Sequence, residues 1–319
     1  MKQRHNFALI GAAGYIAPRH FRAIKENNQN LVALLDKSDS VGTIDSYFPK
    51  ADLFLETERF DRHIYKLSKN EDTKVDFFSI CSPNYLHDSH IRLALRNGAD
   101  AICEKPLLLN PWNLQGLRDI ENETGHRINH ILQLRLHPSI VSLAEKVAKG
   151  DKDKVYDIDL TYITGRGNWY FYSWKGDVSK SGGIVTNIGT HFFDMLLNIF
   201  GEMQESVVHY QTASVAAGFL RLKRARVRWF LSVDANFVPA ELREQGKRTF
   251  RSINIDGEEF EFSDGFTDLH TLSYKKILDG EGFTLAEAEP YVNLCHHIRT
   301  SEAAGLTGEY HPLLKQVMK

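Results

Sequence analysis

"FALIGAAGYIAPRH", residues 7–20, decides the fold. Four apolar residues run into Gly11, Ala12, Ala13 and Gly14, and a helix-like segment starts near residue 15. Small residues between a strand and the mouth of a helix suit the phosphate end of a dinucleotide-binding unit. A side chain beyond Cβ would hold the backbone away from a pyrophosphate, and the helix N-terminus supplies amide donors and a positive dipole. The spacing reads as Gly11-x-x-Gly14-x-x-Ala17, or as Ala12-x-Gly14-x-x-Ala17 with Ala replacing the first Gly; neither is a literal G-x-G-x-x-G. Ala13, Gly14, Tyr15 and Ile16 are the candidate contacts. Alone, the stretch is also explained by a tight strand–helix turn packed with small residues.

The surroundings favour the ligand. Further apolar runs follow at 31–35, 52–55, 75–80, 100–103 and 128–134, separated by helix-like segments near 15–28, 58–69, 85–97 and 111–124. This alternation predicts a parallel, doubly wound α/β sheet covered on both faces. Asn97-Gly98 and Thr124-Gly125 put a Gly just past two of the helices, as stop signals do. In such sheets ligands collect outside the carboxyl ends of the strands. Asp36 ends the second run and suits an acceptor for the adenosine ribose hydroxyls; its charge would repel a 2′-phosphate, which favours NAD over NADP, although Lys37 beside it softens that preference. The fourth run ends in Ser82-Pro83-Asn84, with His87 close behind, and the fifth in Glu104-Lys105-Pro106. Two opposite charges and a proline do not continue a strand, so the fifth run ends where the ligand crevice begins.

After residue 150 the pattern changes. "KVYDIDLTYIT" (154–164) alternates at period two, long strand-like runs follow at 206–213, 218–223 and 226–237, and 251–263 reads as a hairpin about Asp256-Gly257. This half is expected to be an α+β domain with a large, mostly antiparallel open-faced sheet, interrupted by one helix near 184–200 and closed by two near 268–279 and 284–302. The expected domains are 1–130, binding the dinucleotide, and 131–319, binding substrate and mediating oligomerisation.

Composition sets bounds. The chain has 319 residues, 42% hydrophobic and 25% charged, enough for about two cores. A formal net charge of −2 gives no bulk field for nucleic acid or anionic membrane. Three widely spaced cysteines form neither a disulfide framework nor a zinc pattern. With an N-terminal apolar run too short for a signal peptide and no stretch of membrane-spanning length, the expectation is a cytoplasmic protein. The basic run "RLKRARVR" (221–228) alternates like a strand and reads as a solvated or interface face.

"GAAGYIAPRH", "SPNYLH", "CEKPL" and "GGIVTNIGTHFFDM" together resemble the glucose–fructose oxidoreductase / inositol dehydrogenase superfamily. "LTYITGRGNWY", "SWKGD", "ARVRWFLSVDAN" and "GFTDLHT" extend the likeness over nearly the whole chain, to the UDP-N-acetylglucosaminuronate 3-dehydrogenases of bacterial surface-polysaccharide synthesis. The resemblance implies oxidation of the C3 hydroxyl of a UDP-sugar uronate by NAD, giving a 3-keto nucleotide sugar for O-antigen and lipopolysaccharide synthesis. It also implies 2-oxoglutarate as a reoxidant of bound NADH, and a homotetramer.

By the same resemblance Lys105 and His191 are the catalytic residues, and Glu104, Pro106 and Lys105 flank the cofactor. Imidazole, with an unperturbed pKa of about 6.5, suits a proton acceptor. A charged Lys105 suits stabilisation of the developing alkoxide. The two roles are exchangeable. Pro106 offers a cis bond that would aim Lys105. Asn187, His191 and Asp194 fall at i, i+4 and i+7, one helical face. Many superfamily members carry Asp where this chain has Asn187, which weakens a carboxylate–His dyad and leaves Asn187 to bond a sugar hydroxyl.

"GRGNWYFYSWKGD" (165–177) packs five aromatics between 169 and 174, suited to a sugar or nucleobase, or else to anchoring a loop. Arg166, Tyr172 and Lys175 are candidate substrate contacts, with Gln133 and Arg135 after the sixth run; Trp174 and Lys175 also count among the candidate cofactor contacts. His87-x-x-His90 and His296-His297 lack a third ligand cluster, so no metal is expected. The alternatives are an NAD-dependent glycosidase working through a transient 3-keto intermediate, and a catalytically silent ligand sensor. Retention of both Lys105 and His191 argues against the sensor.

Overall fold

The computed structural model describes residues 4–262 and 268–318; the "GFT" of the "GFTDLHT" motif and the last residue of the 251–263 run lie outside them. The chain divides into two compact units, Met1–Leu136 with Thr267–Glu289, and His137–Phe266 with Pro290–Lys319.

In the first unit β1 (Asn6–Ile10), β2 (Asn30–Leu35), β3 (Asp52–Phe54), β4 (Phe77–Ile80), β5 (Asp100–Cys103) and β6 (Ile128–His130) form one parallel sheet, ordered β3-β2-β1-β4-β5-β6. The strand order reverses at β1, and the crevice outside the β1 and β4 ends is where such sheets bind ligands. Strands β1 and β4 are buried at every position, as a sheet covered on both faces requires. Gly98 and Gly125 have φ of 73° and 71°, ending the helices His87–Arg96 and Asn113–Thr124 in the left-handed conformation that Gly adopts most readily. The 128–134 run is strand only to His130; Gln133–Leu136 is a 3₁₀ turn.

The core of this unit joins Phe7, Leu9, Phe21, Ile24, Leu34 and Ile102 to Tyr274 and Ile277 of the helix Leu269–Leu278. Tyr274 stacks on Phe7 at 5.9 Å. The segment 267–289, which a boundary at 130/131 groups with the second half, therefore lies with the first unit because its apolar face completes that core.

In the second unit β7 (Tyr156–Thr164), β8 (Met203–Gln211), β9 (Val215–Leu222), β10 (Ala225–Ser232), β11 (Thr249–Ile255) and β12 (Glu258–Glu259) form a sheet ordered β12-β11-β7-β10-β9-β8. All its pairs are antiparallel except β7 with β10. Asp256 and Gly257 have φ of 54° and 89°, both left-handed, which is what a two-residue hairpin between twisted strands needs. Trp229 and Phe193 meet edge to face at 5.4 Å in the core. The basic run of β9 and β10 is an ion-paired face: Arg221 meets Glu205, Arg226 meets Glu309, and Arg228 meets Asp159.

Three local features differ from expectation. The 226–237 run stops as strand at Ser232, because the Asp234 carboxylate accepts from Asn236 N (2.8 Å) and turns the chain into a 3₁₀ segment. The helix expected over 184–200 is two, Gly183–Asn187 and Thr190–Phe200. A helix at Pro138–Lys149, past the expected boundary at 130/131, is not among the expected elements; Pro138 opens it and His137 Nδ1 accepts from Ser139 N. Among the described residues no helix is long and apolar enough to cross a membrane.

Candidate active site

The turn after β1 is built for close approach. Gly11 has φ +95°, and a Cβ there would stand 2.6 Å from the Cys81 carbonyl carbon and 2.7 Å from Ser82 N. The first small residue is thus Gly11, and its own protein backbone demands it. A Cβ at Gly14 would meet Gly11 O at 3.1 Å. No side chain caps the following helix, Ala17–Glu26, and Pro18 sits in its first turn. Its first amides are already used, Ala17 N donating to Gly14 O and Arg19 N to Ile16 O at 3.0 Å, and Pro18 has none; nothing larger than a methyl group stands between Gly11 and Gly14. Tyr15 is exposed and Ala13, Gly14 and Ile16 are half-buried.

Asp36 stands at the end of β2. Its Oδ2 accepts from Ala13 N (2.8 Å) and its Oδ1 from Ser38 N (2.9 Å), so one carboxylate ties the small-residue turn to the 36–40 loop. An unobstructed small-residue turn and a carboxylate at the neighbouring strand end fit the adenosine diphosphate half of a dinucleotide.

The β4 and β5 ends are braced by histidines. Ser82 Oγ lies 2.8 Å from His90 Nδ1. Burial, with His87 adding a smaller push, takes His90 down to about 4, so the ring is neutral near pH 7. His87 is buried, with Nδ1 2.7 Å from Pro106 O and Nε2 2.8 Å from Ser82 O. Burial lowers its pKa against the pull of those two carbonyls. Carbonyls only accept, so the neutral ring donates to one of them and only the protonated ring to both; in either state His87 sits between the 82–84 turn and the 104–106 turn. Asn84 is buried and Pro83 half-buried on the same turn.

The Lys105–Pro106 peptide bond is cis. Lys105 is half-buried and its N–H donates to Glu104 Oε2 (3.2 Å). Glu104 itself points inward: His20 Nε2 (3.0 Å) and His270 Nε2 (2.8 Å) both meet its Oε1. Burial alone would raise the Glu104 pKa, but the hydrogen bonds from the two imidazoles, ahead of any charge on them, outweigh it and hold the carboxyl well below the usual range. His20, His270, Tyr274 and Ser79 were not singled out from sequence; the one trace was the histidine in each of "APRH" and "DLHT". His20, Glu104 and His270 also have ligand atoms within 4.8 Å of one another. Both imidazole contacts to the carboxylate have hydrogen-bond length, which accounts for the cluster without an ion.

Gln133 and Arg135 lie on the 3₁₀ turn after β6. Arg135 reaches Glu287, Nη1 to Oε1 and Nη2 to the carbonyl, each at 3.3 Å, and stacks over Phe283.

In the second unit, Asn187 ends one helix and His191 lies in the first turn of the next, so Asn187, His191 and Asp194 do not share one continuous helical face. Gly189 at the join has room for no side chain: a Cβ there would lie 2.4 Å from Val185 O and 2.7 Å from the Phe193 ring. Asn187 Nδ2 donates to Tyr170 Oη (3.0 Å); His191 is half-buried and Asp194 buried. The aromatic cluster splits. Tyr170 is buried, as an anchor would be, while Trp169, Phe171 and Tyr172 are exposed, Tyr172 to 90%. Arg166 is exposed, and Lys175 Nζ stands 4.0 Å from the Trp174 ring centroid. Lys175 lines a small cleft with Gly182, Ile184, Gln211 and Arg299.

Comparison with known proteins agrees with both folds. The oxidoreductase family model with an NAD-binding Rossmann fold matches residues 5–130, and the model of its C-terminal alpha/beta domain matches 144–233. The solved WlbA (WbpB) dehydrogenase of Thermus thermophilus, in complex with NAD and alpha-ketoglutarate, is 51% identical over 97% of this chain and 99% of its own, with TM-score 0.93. The structure of that dehydrogenase with NAD and UDP-GlcNAcA gives 50% identity over the same shares, again with TM-score 0.93. The Bordetella pertussis WlbA dehydrogenase, 18% identical with TM-score 0.76 over 93% of this chain and 95% of its own, shares the fold. Among curated proteins, Escherichia coli (strain K12) D-glucoside 3-dehydrogenase is 27% identical over 130 residues, 40% of this chain; the match spans 36% of that protein's length. Two matching domain models in the expected order, with a near full-length relative at half identity, place the chain in the NAD-binding oxidoreductase family typified by glucose–fructose oxidoreductase and inositol dehydrogenase.

Proposed function

We propose that this protein is an NAD-dependent dehydrogenase that oxidises the C3 hydroxyl of UDP-GlcNAcA to the 3-keto nucleotide sugar. One observation carries the substrate: about half the residues are identical, over almost the entire chain, to a dehydrogenase whose solved structure holds NAD and UDP-GlcNAcA. That relative was also solved with alpha-ketoglutarate, which supports the 2-oxoacid as the oxidant that regenerates NAD on the protein. Supply of an oxidised amino-sugar nucleotide to bacterial O-antigen synthesis, in the cytoplasm and as a homotetramer, belongs to the same proposal.

Oxidation of a secondary alcohol removes a hydride from carbon and a proton from oxygen. Bound NAD supplies the hydride acceptor; the chain's own residues handle the rest. The turn Gly11–Ile16 and Asp36 bind the adenosine diphosphate portion, and Ser82, Pro83 and Asn84 line the neighbouring strand end. His191, half-buried in the first turn of its helix, takes the proton. The Lys105 ammonium steadies the alkoxide oxygen as charge develops. Arg166, Lys175 and Tyr172 meet the uronate, diphosphate and base, and Asn187 a sugar hydroxyl.

Incubation with UDP-GlcNAcA, with and without 2-oxoglutarate, tests this. The expected result is a nucleotide sugar two hydrogens lighter, stoichiometric with bound NAD alone and catalytic when 2-oxoglutarate is present. Release of free UDP or of the sugar, without a keto product, would instead favour elimination chemistry of the glycosidase kind.

A further inference from the structure

We propose that His20, His270 and Tyr274 are positioning residues for Lys105, acting through the Glu104 carboxylate; this rests on Lys105 working at the reacting sugar. All four partners belong to the first unit, although Glu104 and His270 are 166 positions apart in sequence. Ser79 Oγ and Tyr274 Oη are 2.6 Å apart, Tyr274 Oη and His20 Nδ1 2.7 Å, and His20 Nε2 and Glu104 Oε1 3.0 Å. His270 Nε2 adds a second contact to the same oxygen at 2.8 Å.

One assignment of hydrogens satisfies the whole chain. Ser79 donates to Tyr274, Tyr274 donates to His20 Nδ1, and a neutral His20 then carries its proton on Nε2 and donates to Glu104. Burial lowers the His20 pKa, which favours that neutral ring. The order runs one way, toward the carboxylate, and the carboxylate passes it on by accepting the Lys105 N–H at Oε2 (3.2 Å).

The rings are wedged as well as bonded: His20 meets His270 edge-on at 5.1 Å and Tyr274 at 5.6 Å. Two N–H groups from fixed rings on one oxygen stop the Glu104 carboxylate from turning. Its other oxygen therefore fixes the direction in which the chain leaves β5. Lys105 follows that carboxylate directly and has a flexible four-carbon stem, so its ammonium inherits whatever order the backbone has. His20, His270 and Tyr274 are between 0% and 3% exposed, and so act from behind the site. Apolar side chains would fill this space at lower desolvation cost, so the polar cluster is better explained by orientation than by stability.

Steady-state kinetics with UDP-GlcNAcA and 2-oxoglutarate on wild type, Lys105→Ala, His270→Leu, His270→Gln and Tyr274→Phe tests the inference. His270→Leu removes the donor and is expected to lower kcat about 10- to 100-fold with KM for both substrates within about 2-fold, as a misplaced catalytic group does. His270→Gln keeps an N–H at similar reach and is expected to restore kcat to within about 3-fold of wild type. Tyr274→Phe deletes only the hydroxyl and is expected to lower kcat about 3- to 10-fold. If His270→Leu does not fold, Tyr274→Phe decides. Unchanged kcat in the folded variants, equal losses in His270→Leu and His270→Gln, or a change in KM alone would overturn the positioning role while Lys105→Ala stays inactive. A fully active Lys105→Ala, or wild-type protein without turnover, would instead remove the underlying assignment and the inference with it.

Discussion

The two sheets carry their candidate residues in different ways. In the first unit every strand runs in one direction, so the turns after β1, β4 and β5, adjacent strands, gather Gly11, Ser82 and Lys105 along one edge. In the second unit direction alternates at every pair but β7 with β10, no edge collects all the strand ends, and the candidates come from helices and loops: Arg166 after β7, Tyr172 in a single helical turn, and His191 near the start of a helix. A parallel sheet converts chain order into position. An antiparallel one leaves position to packing, and the variants below separate the two cases.

The largest effect is expected at the edge that carries chemistry. Lys105→Ala should lower kcat by about 10³-fold with the circular-dichroism spectrum and unfolding midpoint near wild type, and His191→Ala should lose about 10²- to 10³-fold. Near-normal turnover in either variant would remove that residue from the mechanism.

Backbone demand should differ between the units as well. Gly11→Ala places a methyl group inside the backbone of residues 81–82 at a positive φ, so urea unfolding should show a loss of about 3 kcal/mol or more, together with loss of NAD binding. At Gly257, also at positive φ, a Cβ meets nothing within 4 Å; Gly257→Ala should lose only about 1 kcal/mol and keep full activity. Equal losses at the two positions would show that close approach is not what distinguishes the β1 turn.

Acid should weaken both units, the first more. Burial holds His90 at about 4 and His130 at about 3 in the first unit, and His311 at about 4 in the second. Each is below the unfolded value of about 6.5, so the unfolded chain binds protons first. The stability these rings contribute is whole above pH about 6.5 and is lost as pH falls toward about 4 for His90 and His311 and toward about 3 for His130, on the order of 3 to 5 kcal/mol per ring at most. Hydrogen exchange followed from pH 7 to pH 5 should show protection falling faster around His90 and His130 than around His311.

The smallest effect is expected at Asp36. Asp36→Asn keeps a side-chain acceptor for Ala13 N but drops the charge, and should weaken NAD binding about 10-fold while narrowing the preference over NADP; titration of each dinucleotide measures both.

Much of the first unit was legible because local signals and tertiary fate agree there. Each apolar run contains a parallel strand, Gly98 and Gly125 stopped their helices, and Asp36 directly follows β2, at the end of the second run. What escaped depended on distance in sequence. Glu104 could be picked out beside Lys105, but its partners His20 and His270 are brought to it by core packing that no local pattern encodes. The helix Leu269–Leu278 follows the sheet of the second unit in the chain and packs in the core of the first. In the second unit the apolar pattern from 184 to 200 runs on without a break, and no local signal marks the join at 188–189 that separates Asn187 from the helix of His191. Trp169, Tyr170, Phe171 and Tyr172 share a composition but not a fate, since Tyr170 alone turns inward.

Isotope transfer reaches the central claim most directly. UDP-GlcNAcA deuterated at C3 is incubated with the protein, NAD and 2-oxoglutarate, and both products are analysed by mass spectrometry. The account predicts a 3-keto sugar that has lost the label and a 2-hydroxyglutarate that has gained it. A keto sugar that keeps its deuterium, or 2-hydroxyglutarate formed without label, would contradict it.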